Sequence, residues 1–103
     1  MLRSARAFAR KLIAGETGVI EASRALSSLR YEFDAPQDDL FLPFVAIDSE
    51  TSELPIGSVR REWARDALAL RDIEIARCER LYHVRAIEAC RKLMAYFSAP
   101  AAQ

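Results

Sequence analysis

Apolar residues recur three and four positions apart through most of this chain, and the recurrence stops at short clusters of turn-forming residues. Ala5, Phe8, Ala9, Leu12 and Ile13 fall on one face of a helix over about 3–14. Gly15 follows, the residue suited to the left-handed position after a helix. Thr17 is placed to cap a second helix, whose broad apolar face is Val19, Ile20, Ala22, Ala25, Leu26 and Leu29. So short a connection predicts an antiparallel helical hairpin.

"YEFDAPQDD" interrupts the pattern with Pro36 and a run of acids, and "LFLPFVAI" follows. That apolar run suits a buried strand or a buried helix, because periodicity alone does not separate the two. A helix is favoured: Asp38 or Asp39 would cap it and Pro43 would fall near the first turn, where its missing N–H costs least. Leu40, Phe41, Phe44, Val45 and Ile47 would then pack on the hairpin. "LPIG" predicts a type I turn, with Pro55 second and Gly57 fourth.

From Ser58 to Ala99 there is neither glycine nor proline. Leu68, Ile75, Cys78, Tyr82, Ala86, Ala89, Leu93 and Phe97 make one continuous stripe, and Leu70, Ile73, Leu81, Val84 and Ile87 make a second face. A helix over 65–97 would be about 50 Å long, whereas a compact domain of this size has a radius of gyration of about 13 Å. It must therefore break, project or pack against a second copy. A break around 77–84, or a homodimer along this helix, is the expectation. Pro100 ends the helix, leaving 98–103 as a frayed tail. The expected fold is all-α: one domain over 1–103, an N-terminal hairpin, a third helix and a long C-terminal helix in a small bundle.

Composition agrees with a folded domain, since 51% of the 103 residues are hydrophobic and 29% charged. No apolar run approaches the roughly 18 residues of a membrane span. Fifteen basic and fifteen acidic side chains cancel, so no global field draws the chain to nucleic acid or lipid. The distribution is uneven, however. Residues 1–15 carry Arg3, Arg6, Arg10 and Lys11 without an acid, a composition shared with organelle transit peptides. Their helical spacing, running directly into the next helix, favours a folded first helix instead. Residues 31–55 carry Glu32, Asp34, Asp38, Asp39, Asp48, Glu50 and Glu53 without a lysine or arginine.

Candidate chemistry is sparse. His83 is the only histidine, and its neighbours one turn away, Glu79 and Ile87, include no nucleophile. Neither a metal cluster nor a catalytic triad is legible, Gly15 and Gly18 lack both nucleotide fingerprints, and no cofactor is expected. Cys78 and Cys90, twelve positions apart on one helix, would lie about 18 Å from each other. That exceeds disulfide reach and suits a reducing cytoplasm. Asp48 and Glu50 are two apart and do not face each other on a helix. An internal polar clamp is the better reading, with Asp48 or Glu50 paired to Arg60 or Arg61 and pinned against a buried Trp63. Asp72 and Glu79, near the main stripe, are further candidates for internal pairing.

The segment "FVAIDSETSELPIGSVRREW", with "ARKLIAGETGVIEASRAL" before it and "ALALRDIEIARCERLYHVRAIEACRKL" after it, resembles a family of short all-α bacterial proteins. Some of these are immunity proteins encoded beside toxins, including contact-dependent growth inhibition systems. The resemblance covers nearly the whole chain, and its specific part is Ile47 to Thr51 followed by Leu54, Pro55, Gly57, Arg60 and Trp63. It implies no catalytic residues. The expected function is a non-enzymatic protein that blocks a cognate toxin, with Glu32, Asp34, Asp38, Asp39 and Glu53 as the binding surface. Nuclease-type toxins have basic clefts for phosphates, into which an acidic surface is steered. The alternative is a cytoplasmic interaction or oligomerisation module that uses the long helix.

Overall fold

The computed structural model describes residues 2–32 and 35–98, with side chains over 4–31 and 39–97. Among these residues the fold is all-α: α1 (Leu2–Ile13), α2 (Val19–Leu29), α3 (Ala35–Thr51) and α4 (Arg65–Ser98). Short 3₁₀ segments, Arg30–Glu32 and Gly57–Glu62, link α2 to α3 and α3 to α4.

α1 ends as its sequence predicts. Gly15 takes φ +77°, its N–H bonds to Leu12 O at 3.0 Å, and Glu16 N–H bonds to Lys11 O at 2.8 Å. These two bonds form a Schellman closure. Ala5, Ala9 and Leu12 are buried, and α1 packs chiefly on α4 and less on α2. Alanines on both helices, Ala5 and Ala9 with Ala86 and Ala89, leave little side-chain bulk between them.

The main core joins all four helices: Leu12, Val19, Leu26, Phe41, Phe44 and Leu93 lie in one buried cluster with those alanines. A smaller cluster of Ile20, Leu54 and Cys78 sits under the α3–α4 connection, with Ile56, Ile75 and Tyr82 against it. α3 is a helix, as favoured, but it begins at Ala35 rather than at the acids. Asp38 and Asp39 are therefore within it rather than at its cap, and Pro43 lies mid-helix, where it removes one backbone bond. Phe41, Phe44 and Ile47 are fully buried around it.

The chain also turns earlier than "LPIG" suggests. Leu54 N–H bonds to Thr51 O at 3.0 Å, so the reversal spans 51–54. Ile56 is extended at φ −124° and ψ 138°, which excludes a type I turn there. Pro55 is buried, and Gly57 supplies φ +79° where the 3₁₀ segment starts.

α4 is continuous over 34 residues. The break expected at 77–84 is absent, and the molecule measures 55 × 23 × 19 Å with a radius of gyration of 14.6 Å. A 34-residue helix spans about 51 Å, so α4 sets the long axis. Nothing bends it because only one of its apolar faces is used. Cys78, Ala86, Ala89 and Leu93 are buried, while Leu70, Ile73, Leu81 and Val84 are 61–71% exposed. No helix among the described residues is long and apolar enough to cross a membrane.

Candidate functional site

The stretch from Ala46 to Trp63 is built around an unfavourable helix end. The last turn of α3 carries Asp48 and Glu50 and no base, although the carbonyl end of a helix favours positive charge. Arg24 of α2 supplies that charge. Its Nη2 donates to the carbonyl of Thr51 and, at 2.8 Å, to that of Leu54, and its Nε stands 3.7 Å from Asp48 Oδ1. The Thr51 hydroxyl donates back to Ile47 O at 2.7 Å. One guanidinium thus holds the end of α3, the following turn and a carboxylate.

Glu50 accepts from the Tyr82 hydroxyl of α4. Arg60 bonds Asp72 of α4 with both terminal nitrogens, at 2.7 and 2.9 Å, and donates to Pro55 O at 3.2 Å. That hydrogen bond, with the ion pair's attraction, holds the Asp72 carboxyl below its usual range and raises the Arg60 guanidinium. A polar clamp exists, but not between the expected partners. α3 runs on to Thr51 and turns Asp48 toward α2, while Arg60 lies beyond Pro55 and faces α4. Arg61 is exposed and takes no part. Trp63 is half-buried and belongs to neither hydrophobic cluster, so it does not anchor the clamp.

A second long-range bond fixes α2. Glu79 Oε1 accepts the N–H of Val19 at 2.7 Å, and Oε2 accepts that of Ile20 at 3.0 Å. Two donors at the positive end of the helix therefore meet one carboxylate from α4. Thr17, expected to cap α2, instead donates to Glu21 Oε2 at 3.2 Å, and the N-cap position is Gly18 without a side-chain bond. Glu79 is paired within the fold, as the stripe suggested, whereas the pairing of Asp72 is at the surface, its side chain 48% exposed.

Between the α3 end and α4 lies a cavity of about 190 Å³, walled by Glu50, Glu53, Arg71, Glu74, Arg77 and Tyr82 among others. Its charges are partly matched, with Arg71 3.1 Å from Glu74. Of the expected binding acids, Asp39 and Glu53 are exposed. Asp34 lies outside the described residues, as do the side chains of Glu32 and Asp38. Asp39 lies within α3 and Glu53 in the turn beyond its end at Thr51, which is itself about 18 Å from Asp39 by helix rise, so these two alone do not form one patch. Asp48, Glu50, Asp72 and Glu79 each already hold a structural partner. Among the described residues no group of His, Cys, Asp and Glu is placed to hold a metal ion.

Arg24 and Tyr82 were not singled out by sequence reasoning, although they complete the two α3 contacts. Arg24 as the one basic side chain of α2 was the available signal. No protein-family model, curated protein or solved structure matches this chain.

Proposed function

We propose that the chain is a non-enzymatic binding protein that takes a basic protein partner on the acidic side of α3. A cognate toxin of the nuclease type is the preferred partner, and the chain acts in the cytoplasm as its immunity protein. The observation that carries this reading is the division of labour among the acids of 31–55. Asp48 and Glu50 are committed to Arg24 and Tyr82, whereas Asp39 on α3 and Glu53 in the turn just beyond it are left exposed on either side of a braced helix end. A braced scaffold presents charge without ordering cost on binding.

The non-enzymatic part is supported by the same pairing. A general acid or base must be free to exchange a proton with substrate, and the central carboxylates here are spent on backbone or side-chain donors. The cytoplasmic part is supported by Cys78 and Cys90, which are unpaired and buried. The 47–63 stretch resembles a family of short bacterial proteins of which some are immunity proteins, which points the same way.

The test is co-expression with the products of adjacent genes, followed by binding kinetics on any captured protein. Replacing Glu32, Asp34, Asp38 and Asp39 by their amides should slow association and flatten its salt dependence, since exposed charges act over about 8 Å at physiological salt. Unchanged association at low salt would remove the acidic side of α3 from the interface.

A further inference from the structure

We propose that the outward face of α4 is a homodimer interface in which a second copy lies antiparallel, Leu81 on Val84 and Arg77 on Glu88. The proposal is argued from α4 alone and stands independently of any toxin, although Glu74, Arg77 and Leu81 of this face also line the cavity that Glu53 borders.

The face is defined by what it opposes. Leu68, Ile75, Tyr82, Ala86 and Leu93 turn inward. On the opposite side of the same helix Leu70 is 71% exposed, Ile73 70%, Leu81 61% and Val84 65%. Four large aliphatic side chains in line on one helix form a stripe rather than scattered surface residues.

Its positions have a regular spacing. Leu70, Glu74, Arg77 and Leu81, then Val84, Glu88, Arg91 and Ala95, advance by alternating steps of four and three. This is the 3.5-residue repeat of a coiled-coil seam, here about 37 Å long. Such a seam with two acids and two arginines in it needs a partner that matches each charge.

A second copy in one orientation and one register does so. With the copies antiparallel about a two-fold axis between positions 82 and 83, Leu81 meets Val84, Arg77 meets Glu88, Glu74 meets Arg91 and Leu70 meets Ala95. Every layer pairs apolar with apolar or acid with base. Sliding one heptad in either direction sets Arg77 against Leu81 or Ala95, and Glu88 against Leu70 or Val84. An in-register parallel pair sets Arg77 on Arg77 and Glu88 on Glu88. Like charges face to face at an interface cost several kcal/mol, so the sequence selects the antiparallel arrangement.

Two local features fit that register. His83, Val84, Ile87, Glu88 and Arg91 enclose a surface groove of about 230 Å³. Val84, Ile87, Glu88 and Arg91 have the i, i+3, i+4, i+7 spacing of a hole that receives one knob from a facing helix. The knob in this register is Arg77, with its stem on Val84 and Ile87 and its guanidinium at Glu88. Arg77, Glu88 and Arg91 are exposed and form no ion pair among the described residues, so they are available.

Sedimentation equilibrium on the full chain tests the proposal. The wild type should reach twice the monomer mass of 11.6 kDa. Arg77→Glu and Glu88→Arg should each weaken self-association by roughly tenfold or more, because each creates like-charge layers. Mixing the two single variants should restore dimer as a heterodimer, and the double variant should restore the homodimer. Restoration also excludes misfolding as the cause of the single-variant losses. For orientation, a Leu81→Cys chain should form a disulfide with a Val84→Cys chain in preference to another copy of itself. A monomeric wild type, single variants as tight as wild type, or preferential Leu81→Cys self-linkage would each overturn the proposal.

Discussion

A Cβ placed on Gly18 would stand 3.1 Å from Oε2 of Glu79, the carboxylate oxygen that already accepts the N–H of Ile20. The backbone at Gly18 is ordinary, at φ −79° and ψ 164°, so glycine is favoured here by crowding and not by dihedral angle. Glu79 is held by two hydrogen bonds and cannot easily move aside. Glu79→Ala should therefore cost about 1–2 kcal/mol, the range for losing a helix cap. Gly18→Ala should destabilise the wild type. In the Glu79→Ala background the same change should be neutral or stabilising by up to about 1 kcal/mol, because alanine restricts the unfolded chain. A urea-denaturation double-mutant cycle with no coupling between the two sites would contradict this relationship.

Arg24 should be the costliest polar side chain to replace. Its Nη2 serves two carbonyls while its Nε stands 3.7 Å from Asp48, and an ammonium has no second nitrogen to keep both contacts. Arg24→Lys should lose about 1.5–3 kcal/mol, the scale for hydrogen bonds to a charged group. Arg60→Lys, at the surface, should lose clearly less. Chemical denaturation of the two variants side by side checks the order, and equal losses would move the main clamp to Arg60.

The Arg60–Asp72 pair should appear in the acid limb of the stability profile. The folded carboxyl is held below its ordinary value of 3.8, chiefly by the Arg60 hydrogen bond. The pair's stabilisation is thus present above that value and disappears as pH falls through the depressed one. Wild type should lose more stability than Asp72→Asn between neutral and strongly acidic pH. Parallel profiles for the two proteins would show that the pair contributes nothing to the acid limb.

Cys90 should behave in the opposite sense. Burial pushes its thiol from 9.0 up to about 12. The folded protein keeps the proton while the unfolded chain gives it up, so stability falls as pH rises beyond 9.0. Cys90→Ala should flatten the alkaline limb. In the native wild type at mildly alkaline pH, iodoacetamide should label Cys90 only as fast as the protein opens.

The parts of this fold legible in the sequence were those governed by periodicity and local backbone chemistry. The faces of α1, α2 and α4 and the Gly15 closure follow from spacing or from one residue's allowed dihedral angles. The "LFLPFVAI" run is helical as favoured, but without the acidic cap and first-turn proline that argued for it. The parts that were not legible depend on contacts distant in sequence. Thr17 is a better local cap than Gly18, yet the cap comes from Glu79, sixty positions away. Asp48 and Arg60 are near in sequence, yet the end of α3 intervenes and sends them to different helices. The break in α4 was expected on the premise that both apolar faces must be buried within one chain. The structure leaves one face exposed.

That redistribution changes what is expected of Trp63. A fully buried tryptophan truncated to alanine costs about 3–5 kcal/mol. Trp63 is half-buried, lies in neither core cluster, and is tied to its surroundings by a 3.2 Å backbone bond from its N–H to Arg60 O, which alanine would keep. Trp63→Ala should therefore fall below that range, at about 1–2 kcal/mol for the partial burial lost. Leu54→Ala, a few residues earlier, removes a side chain of the smaller cluster and should cost about 2–5 kcal/mol. Comparing the two variants by denaturation shows which side chain closes the α3–α4 connection. A larger loss at Trp63 than at Leu54 would return the indole to the role of anchor.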